Sequence, residues 1–454
     1  MRWVFVLAIV GCRSTPPAPD LVAELANAYP ETATPDGKLI EVEIVAAETT
    51  IELIDGKPLR VWAYNGTVPG PTLRVRLGDT LRVKLTNKLP QETTIHWHGV
   101  RVPNGMDGVP HMTQPPVAPG GTFTYEFTPK DAGTFWFHPH VRSSEQVERG
   151  LYGLLIVEDK APPPYREVTW ILDDWMLGPD GQIFDNFNTM HDLAHDGRWG
   201  NAITVNGRTD TRLTAAAGER IRLRLLNASN GRIYAVDLAG LDAKIIAVDG
   251  LYARTPSTLG RFELAPGNRL DLDVTIKGGG RSLIVTDRFV PQRPNRLAEI
   301  DIDGSVPERT IEPPHMKVPA WASGLAEPVT HEFRLDARQG GTYGIEWTID
   351  GKAFAGHDHH HDPGLVLERG KWARLRFVNA SARLHPIHLH GMFFKLLARD
   401  SVPVDEPFFR DTVLVHGNEN IDIGVVPLDA GSWMMHCHIL EHAEAGMMTM
   451  IDVR

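Results

Sequence analysis

Three stretches of the chain alternate strictly between apolar and charged positions: GDTLRVKLTNKL from Gly78, GERIRLRLLNAS from Gly218 and GKWARLRFVNAS from Gly370. In the first, Leu81, Val83 and Leu85 share a face with Arg82 and Lys84 between them; in the second, Ile221, Leu223 and Leu225 enclose Arg222 and Arg224. A period of two with one wet face predicts an antiparallel, half-buried strand. Upstream of the three lie Asn65-Gly66, Asn206-Gly207 and Asp350-Gly351, dipeptides that close hairpins. The copies start 140 and 152 residues apart, an interval of domain size. Long helical periodicity is absent. The pattern predicts an all-β chain of three related sandwiches over residues 38–158, 165–304 and 330–454. DKAPPPY, from Asp159, and the Pro-rich stretch 305–329 read as linkers.

A chain of 454 residues is too long for one core, which agrees with three. Its net charge of −11, from 46 basic and 57 acidic residues, argues against nucleic acid or an anionic membrane surface as partner. The start, MRWVFVLAIVGC, has a basic residue and an apolar run from Val4 to Val10. Such a run falls far short of the roughly 20 residues a spanning helix needs and predicts an export signal over residues 1–12. Ile9-Val10-Gly11-Cys12 resembles a bacterial lipobox, which makes Cys12 a lipid anchor and residues 13–37 a tether; a plain secretory signal is the alternative. Both place the mature protein in the bacterial periplasm or cell envelope. With Cys12 assigned to lipid, the second of the two cysteines, Cys437, has no partner for a disulfide and is kept for its own chemistry.

The 20 histidines supply that chemistry. At this frequency about one His-x-His pair is expected by chance. The chain has four in strand-like contexts, at 96/98, 138/140, 388/390 and 436/438. On a strand, residues i and i+2 point the same way, so each pair offers two imidazoles to one point in space. Two pairs belong to the first unit and two to the third, so a site built from all four forms between those units. Cys437, between His436 and His438, must then face away, toward a second site about 10 Å off. His442 and Met447 follow it and His385 precedes the 388/390 pair. A thiolate, two imidazoles and a weak thioether form a blue-copper donor set.

HWHG (96–99), HPH (138–140), HPIHLH (385–390) and HCHILEH (436–442) resemble the four copper motifs of the multicopper oxidases. YNGTVPGPTLRVRLGD and GTFWFHPH extend the likeness over nearly the whole mature chain. The resemblance implies three cupredoxin-like Greek-key domains, the middle one without copper motifs, and four copper ions. His385, Cys437, His442 and Met447 would hold a type 1 copper, and His96 and His388 a type 2 copper. His98, His138 and His438 would hold one ion of a type 3 pair, and His140, His390 and His436 the other. It implies an oxidoreductase that takes single electrons from a small reductant and reduces O2 to water, monomeric and acting on phenols and aromatic amines. His442 or His385 would receive the electrons at a surface cleft. Cu(I), Mn(II) or Fe(II) remain alternative donors, although no Met-rich segment is present. A copper nitrite reductase or a non-enzymatic envelope protein of the same fold is disfavoured, because every ligand position is filled.

Asp107 in NGMDGVP matches a carboxylate that relays protons near the type 2 copper, and Asp411 in FRDTVLV one that braces a type 1 histidine. Bacterial relatives carry an acid directly after the second type 1 histidine; Ala443 stands there, leaving Glu441 or Glu444 to deliver protons, with Glu444 preferred. The run His357, His359, His360 and His361 reads as a solvated loop, and His191 and His195, spaced i, i+4 without a third ligand, are assigned no role.

Overall fold

A computed structural model describes residues 37–54, 56–316, 324–354 and 363–454. Cys12, most of the tether and the run from His357 to His361 lie outside the described residues. Strand dominates the regular structure of the described chain, with short α-helices at Ser143–Glu148, Met190–Ala194 and Leu440–Glu444.

The three alternating segments form Thr80–Asn87, Arg220–Asn227 and Ala373–Asn379, each in the interior of a sheet. Leu81, Val83 and Leu85 are fully buried, each contributing about 1.5–3 kcal/mol of transfer free energy. The wholly antiparallel expectation is corrected. Each of these strands runs parallel to the first strand of its unit (Thr80 beside Leu39, Ile221 beside Arg166, Leu375 beside His331) and antiparallel to its other neighbour. Side-chain alternation is the same in both pairings, so periodicity could not separate them.

The triplication extends to single atoms. Asn65, Asn206 and Asp350 take φ of 55°, 54° and 54° ahead of glycines at positive φ, forming the expected hairpin turns. The alternating strands end on Asn87, Asn227 and Asn379. In each, Nδ2 donates to two main-chain carbonyls at 2.7–2.9 Å and Oδ1 accepts the N–H two residues on.

A second correction concerns the wet face in the middle unit. Arg222 and Arg224 are buried, because Asp271 and Asp273 lie across from them on Arg269–Thr275. Arg222 Nη2 donates to Asp271 Oδ2 at 2.6 Å, and Arg224 Nη1 donates to the same oxygen and to Thr134 Oγ1 of the first unit. Arginine tolerates such burial only when its charge is paired. The sequence RLDLDVT carries aspartates at the matching period and is the signal that alternation alone overlooked.

Two further sheets position the histidines. In the first unit His96–His98 pairs antiparallel with Gly133–His138, setting His96 opposite His138. In the third, His385–Leu389 lies between Thr412–Val415 and Gly431–Cys437, setting His388 opposite both Thr412 and His436.

Candidate metal centre

Strand alternation divides Gly431–Cys437 and the residue after it between two sites. The His436 and His438 rings join those of His96, His98, His138, His140, His388 and His390. The two units meet ring to ring: His98 stacks on His388 with centroids 3.7 Å apart, and His96 on His390 at 3.8 Å. His140 is partly exposed and the other seven rings are buried.

Each ring that is held is held from behind. His96 Nδ1 lies 2.8 Å from the Asp107 carbonyl, His138 Nδ1 2.9 Å from that of Pro139 and His388 Nδ1 2.9 Å from that of Asp411. His436 Nδ1 lies 2.8 Å from the Cys437 carbonyl, and His390 Nδ1 2.8 Å from Asp107 Oδ2. The inward nitrogens are bare: Nε2 of His96, His138, His140 and His388, Nδ1 of His98 and both ring nitrogens of His438 have no hydrogen-bond partner among the described residues. Buried polar atoms are rarely left unsatisfied, and imidazoles anchored at one nitrogen with the other bare are the usual form of metal ligands. Burial, aided by the neighbouring imidazoles, drives the pKa of His98, His138, His140, His390 and His438 well below the ordinary value, and that of His436 to about 3. Those six rings are therefore held in the neutral form that metal ligation requires. Within the cluster the donor atoms of His140, His390 and His436 converge to within 4.8 Å, as do those of His96, His98 and His138 and of His96, His388 and His390.

Cys437 faces the other way. Its Sγ lies 3.6 Å from His385 Nδ1 and 3.8 Å from His442 Nδ1, and those two nitrogens are 3.2 Å apart. The outer nitrogens are again anchored, His385 Nε2 beside Ser381 Oγ at 2.9 Å and His442 Nε2–H donating to the His195 carbonyl at 2.7 Å. Helix Leu440–Glu444 folds the chain back so that His442 returns over Cys437. Met447 is fully buried beside them: the Cys437 N–H donates to its carbonyl, and its own N–H to that of His442. Burial raises the Cys437 thiol pKa, so a cation is needed to hold the thiolate. Three buried donors, two nitrogens and one sulfur, aimed at one point fit copper.

Several expected roles are corrected. Asp411 does not reach His385 or His442. The register that sets Thr412 against His388 turns its carboxylate toward His98 Nε2, at 3.3 Å, and the Arg269 guanidinium, at 2.6 Å. His442 and His385 do not reach a surface cleft: both are fully buried, and His195 of the middle unit caps His442. His195, assigned no role, thus touches the site through its carbonyl.

Asp107 braces two rings of the cluster. Burial would raise its pKa, but the His390 and His96 imidazoles hold it well below the usual carboxylate range. Glu444 packs on helix Ser143–Glu148, just past His140, and burial raises its pKa. Glu441 is enclosed instead, accepting from Asn230 Nδ2 and the Arg198 N–H, with its pKa pushed up to about 7 by burial. Sequence reasoning missed Trp347, whose ring packs 4.3 Å from that of His442 and 4.8 Å from that of His385 while Nε1–H donates to the Leu193 carbonyl. A lone tryptophan in a strand carries no signal of that contact.

The chain matches the multicopper oxidase family over residues 45–162, 166–295 and 328–454. It is 30% identical to multicopper oxidase MmcO of Mycobacterium tuberculosis, over 98% of this chain and 94% of that protein. It is 26% identical to laccase-2 of Cryptococcus neoformans var. grubii, over 99% and 92%. The crystal structure of a multi-copper oxidase from Pseudomonas thermotolerans superposes with a TM-score of 0.81 at 36% identity, covering 92% of this chain and 99% of that one. With histidine and cysteine donor sets that fit copper, carried by the first and third of three cupredoxin-like units, the chain belongs to the multicopper oxidase family, copper-dependent oxidoreductases that use O2.

Proposed function

We propose that the copper-loaded chain is a laccase-like oxidase of phenols and aromatic amines. One observation carries the reading. Cys437 lies in one donor set while its neighbours His436 and His438 lie in another, so a single peptide segment joins them. His385, Cys437, His442 and Met447 would hold the type 1 copper. His96 and His388 would hold the type 2 ion, and His98, His138 and His438, with His140, His390 and His436, the type 3 pair. Bound there, copper supplies one-electron transfer and the four-electron reduction of O2 to water.

The protein's own groups do the rest. Thr412, Asp107 and main-chain carbonyls fix ring orientation, and neutral imidazoles keep their inward nitrogens free. Asp107 and Asp411, ionised behind the cluster, offset positive charge gathered there. Glu444, with Ala443 in place of an acid, holds a proton on the side of His140 and passes it inward. Export through residues 1–12, with Cys12 lipidated, would put this activity in the periplasm or cell envelope, the protein acting as a monomer; the export motif and the two-cysteine composition support that placement.

The test is metal analysis, absorption and O2 uptake of the copper-loaded full chain and of Cys437→Ser. Wild type is expected to show an intense blue thiolate absorption and to consume O2 with a phenol. Cys437→Ser is expected to lose both while keeping copper at the histidine cluster. Copper-loaded wild type that oxidises neither phenols nor aromatic amines overturns the proposal.

A further inference from the structure

His442 cannot meet a donor in solution. It is fully buried, Trp347 covers its face and the His195 carbonyl caps Nε2. Electrons therefore arrive through the residues packed on it, and the His195 carbonyl makes the middle unit one such route.

An open cavity of about 300 Å³ lies in that unit, lined by Trp199, Arg232, Phe289, Val290 and Arg293, with Asp287 at its wall. Its volume is at the lower end of small-molecule sites. The Trp199 and Phe289 rings stand 5.9 Å apart, tilted by 55°, and the Arg232 guanidinium lies 4.8 Å over the indole. The Asp287 carboxylate is occupied, accepting from the N–H groups of Ala235 and Phe289 and from Asn295. Arg293 is exposed and makes no ion pair among the described residues. The cavity thus offers aromatic faces and an uncommitted cation.

Asp196 joins this cavity to both imidazoles beside Cys437. Trp199 Nε1–H donates to the Asp196 carbonyl at 2.9 Å. Asp196 follows His195, whose carbonyl accepts from His442 at 2.7 Å. Asp196 Oδ1 accepts the N–H of Leu384 at 2.9 Å, one residue before His385.

We propose that this cavity binds the organic donor, a phenol bearing a carboxylate, with its ring against Trp199 and Phe289 and its carboxylate toward Arg293. The proposal rests on the laccase-like reading. The bound phenol gives up one electron and releases its hydroxyl proton to solvent, leaving a phenoxyl radical whose carboxylate keeps its negative charge. The electron passes through Trp199, Asp196 and the His195 carbonyl to the His442 imidazole. Four such electrons and four protons convert one O2 to two waters.

The test compares 4-hydroxy-3,5-dimethoxybenzoate with its neutral methyl ester on the copper-loaded full chain. Benzoate, which is not oxidised, serves as a separate binding probe by calorimetry. Trp199→Leu is expected to lower kcat/KM for both phenols by about tenfold, with the blue absorption retained as proof of folding. Arg293→Gln is expected to raise KM for the acid about three- to fivefold with kcat nearly constant, to weaken benzoate binding by the same factor, and to spare the ester. Unchanged kcat/KM in Trp199→Leu, or equal effects of Arg293→Gln on acid and ester, would overturn the cavity assignment while leaving the oxidase reading standing. Wild type that consumes no O2 with either phenol would overturn both.

Discussion

Asp107 braces two imidazoles with one carboxylate. Oδ2 accepts from His390 Nδ1–H at 2.8 Å, Oδ1 lies 3.4 Å from His96 Nδ1, and the carbonyl of the same residue completes the hold on His96. Asp107→Asn keeps the shape but removes the charge and one acceptor. Loss of such a brace typically costs about 10–100-fold in metal affinity. Titration against a copper chelator is expected to show that drop for the histidine cluster, with the blue absorption from Cys437 unchanged. Equal losses at both sites would mean that Asp107 stabilises the fold rather than the cluster.

The turn that carries Gly267 presses against the cluster. Gly267 has φ +87°, and a Cβ there would meet His98 Cε1 at 2.9 Å and His438 Cδ2 at 3.0 Å. Gly267→Ala therefore adds left-handed strain of about 1 kcal/mol and pushes two imidazoles aside. Metal analysis is expected to find copper lost from the cluster and retained beside Cys437, since His385, Cys437 and His442 lie in the core of the third unit. Full copper occupancy with an unchanged melting temperature would refute this.

Across the whole molecule, Arg269 is the fully buried knot between the three units. Its guanidinium donates to the Thr134 carbonyl of the first unit, to the Asp249 and Gly267 carbonyls of its own, and to Asp411 of the third. Arg269→Leu strands the Asp411 carboxylate, an uncompensated buried charge that costs about 3–5 kcal/mol. Denaturant unfolding is expected to show that loss together with weaker copper retention. A milder junction is pH-sensitive. His416, half-buried, meets Glu263 of the middle unit at 2.8 Å and Glu419 at 3.2 Å, which raises its pKa to about 9. A group raised from an unfolded value near 6.5 gives its full stabilisation below that pH and loses it as pH climbs through the folded value. The melting temperature of wild type is expected to fall between pH 6.5 and 9, and His416→Gln to flatten that slope; an identical slope in the variant would exclude His416 as its source.

The period-two runs at Gly78, Gly218 and Gly370 and the turns before them determined an all-β, triplicated chain, because alternation and left-handed turns are local consequences of residue type. The same locality made the opposed directions of Cys437 and its flanking histidines legible from adjacent residues. What lay between distant segments was decided only by tertiary structure: the parallel pairing of the alternating strands, the buried arginine face opposite Asp271, and the turn of Asp411 toward His98 rather than His385. The His195 carbonyl over His442 belongs to the same class. Such contacts arise when strands and units pack, and their partners are set by register and domain approach over tens to hundreds of residues, distances at which no sequence period carries information.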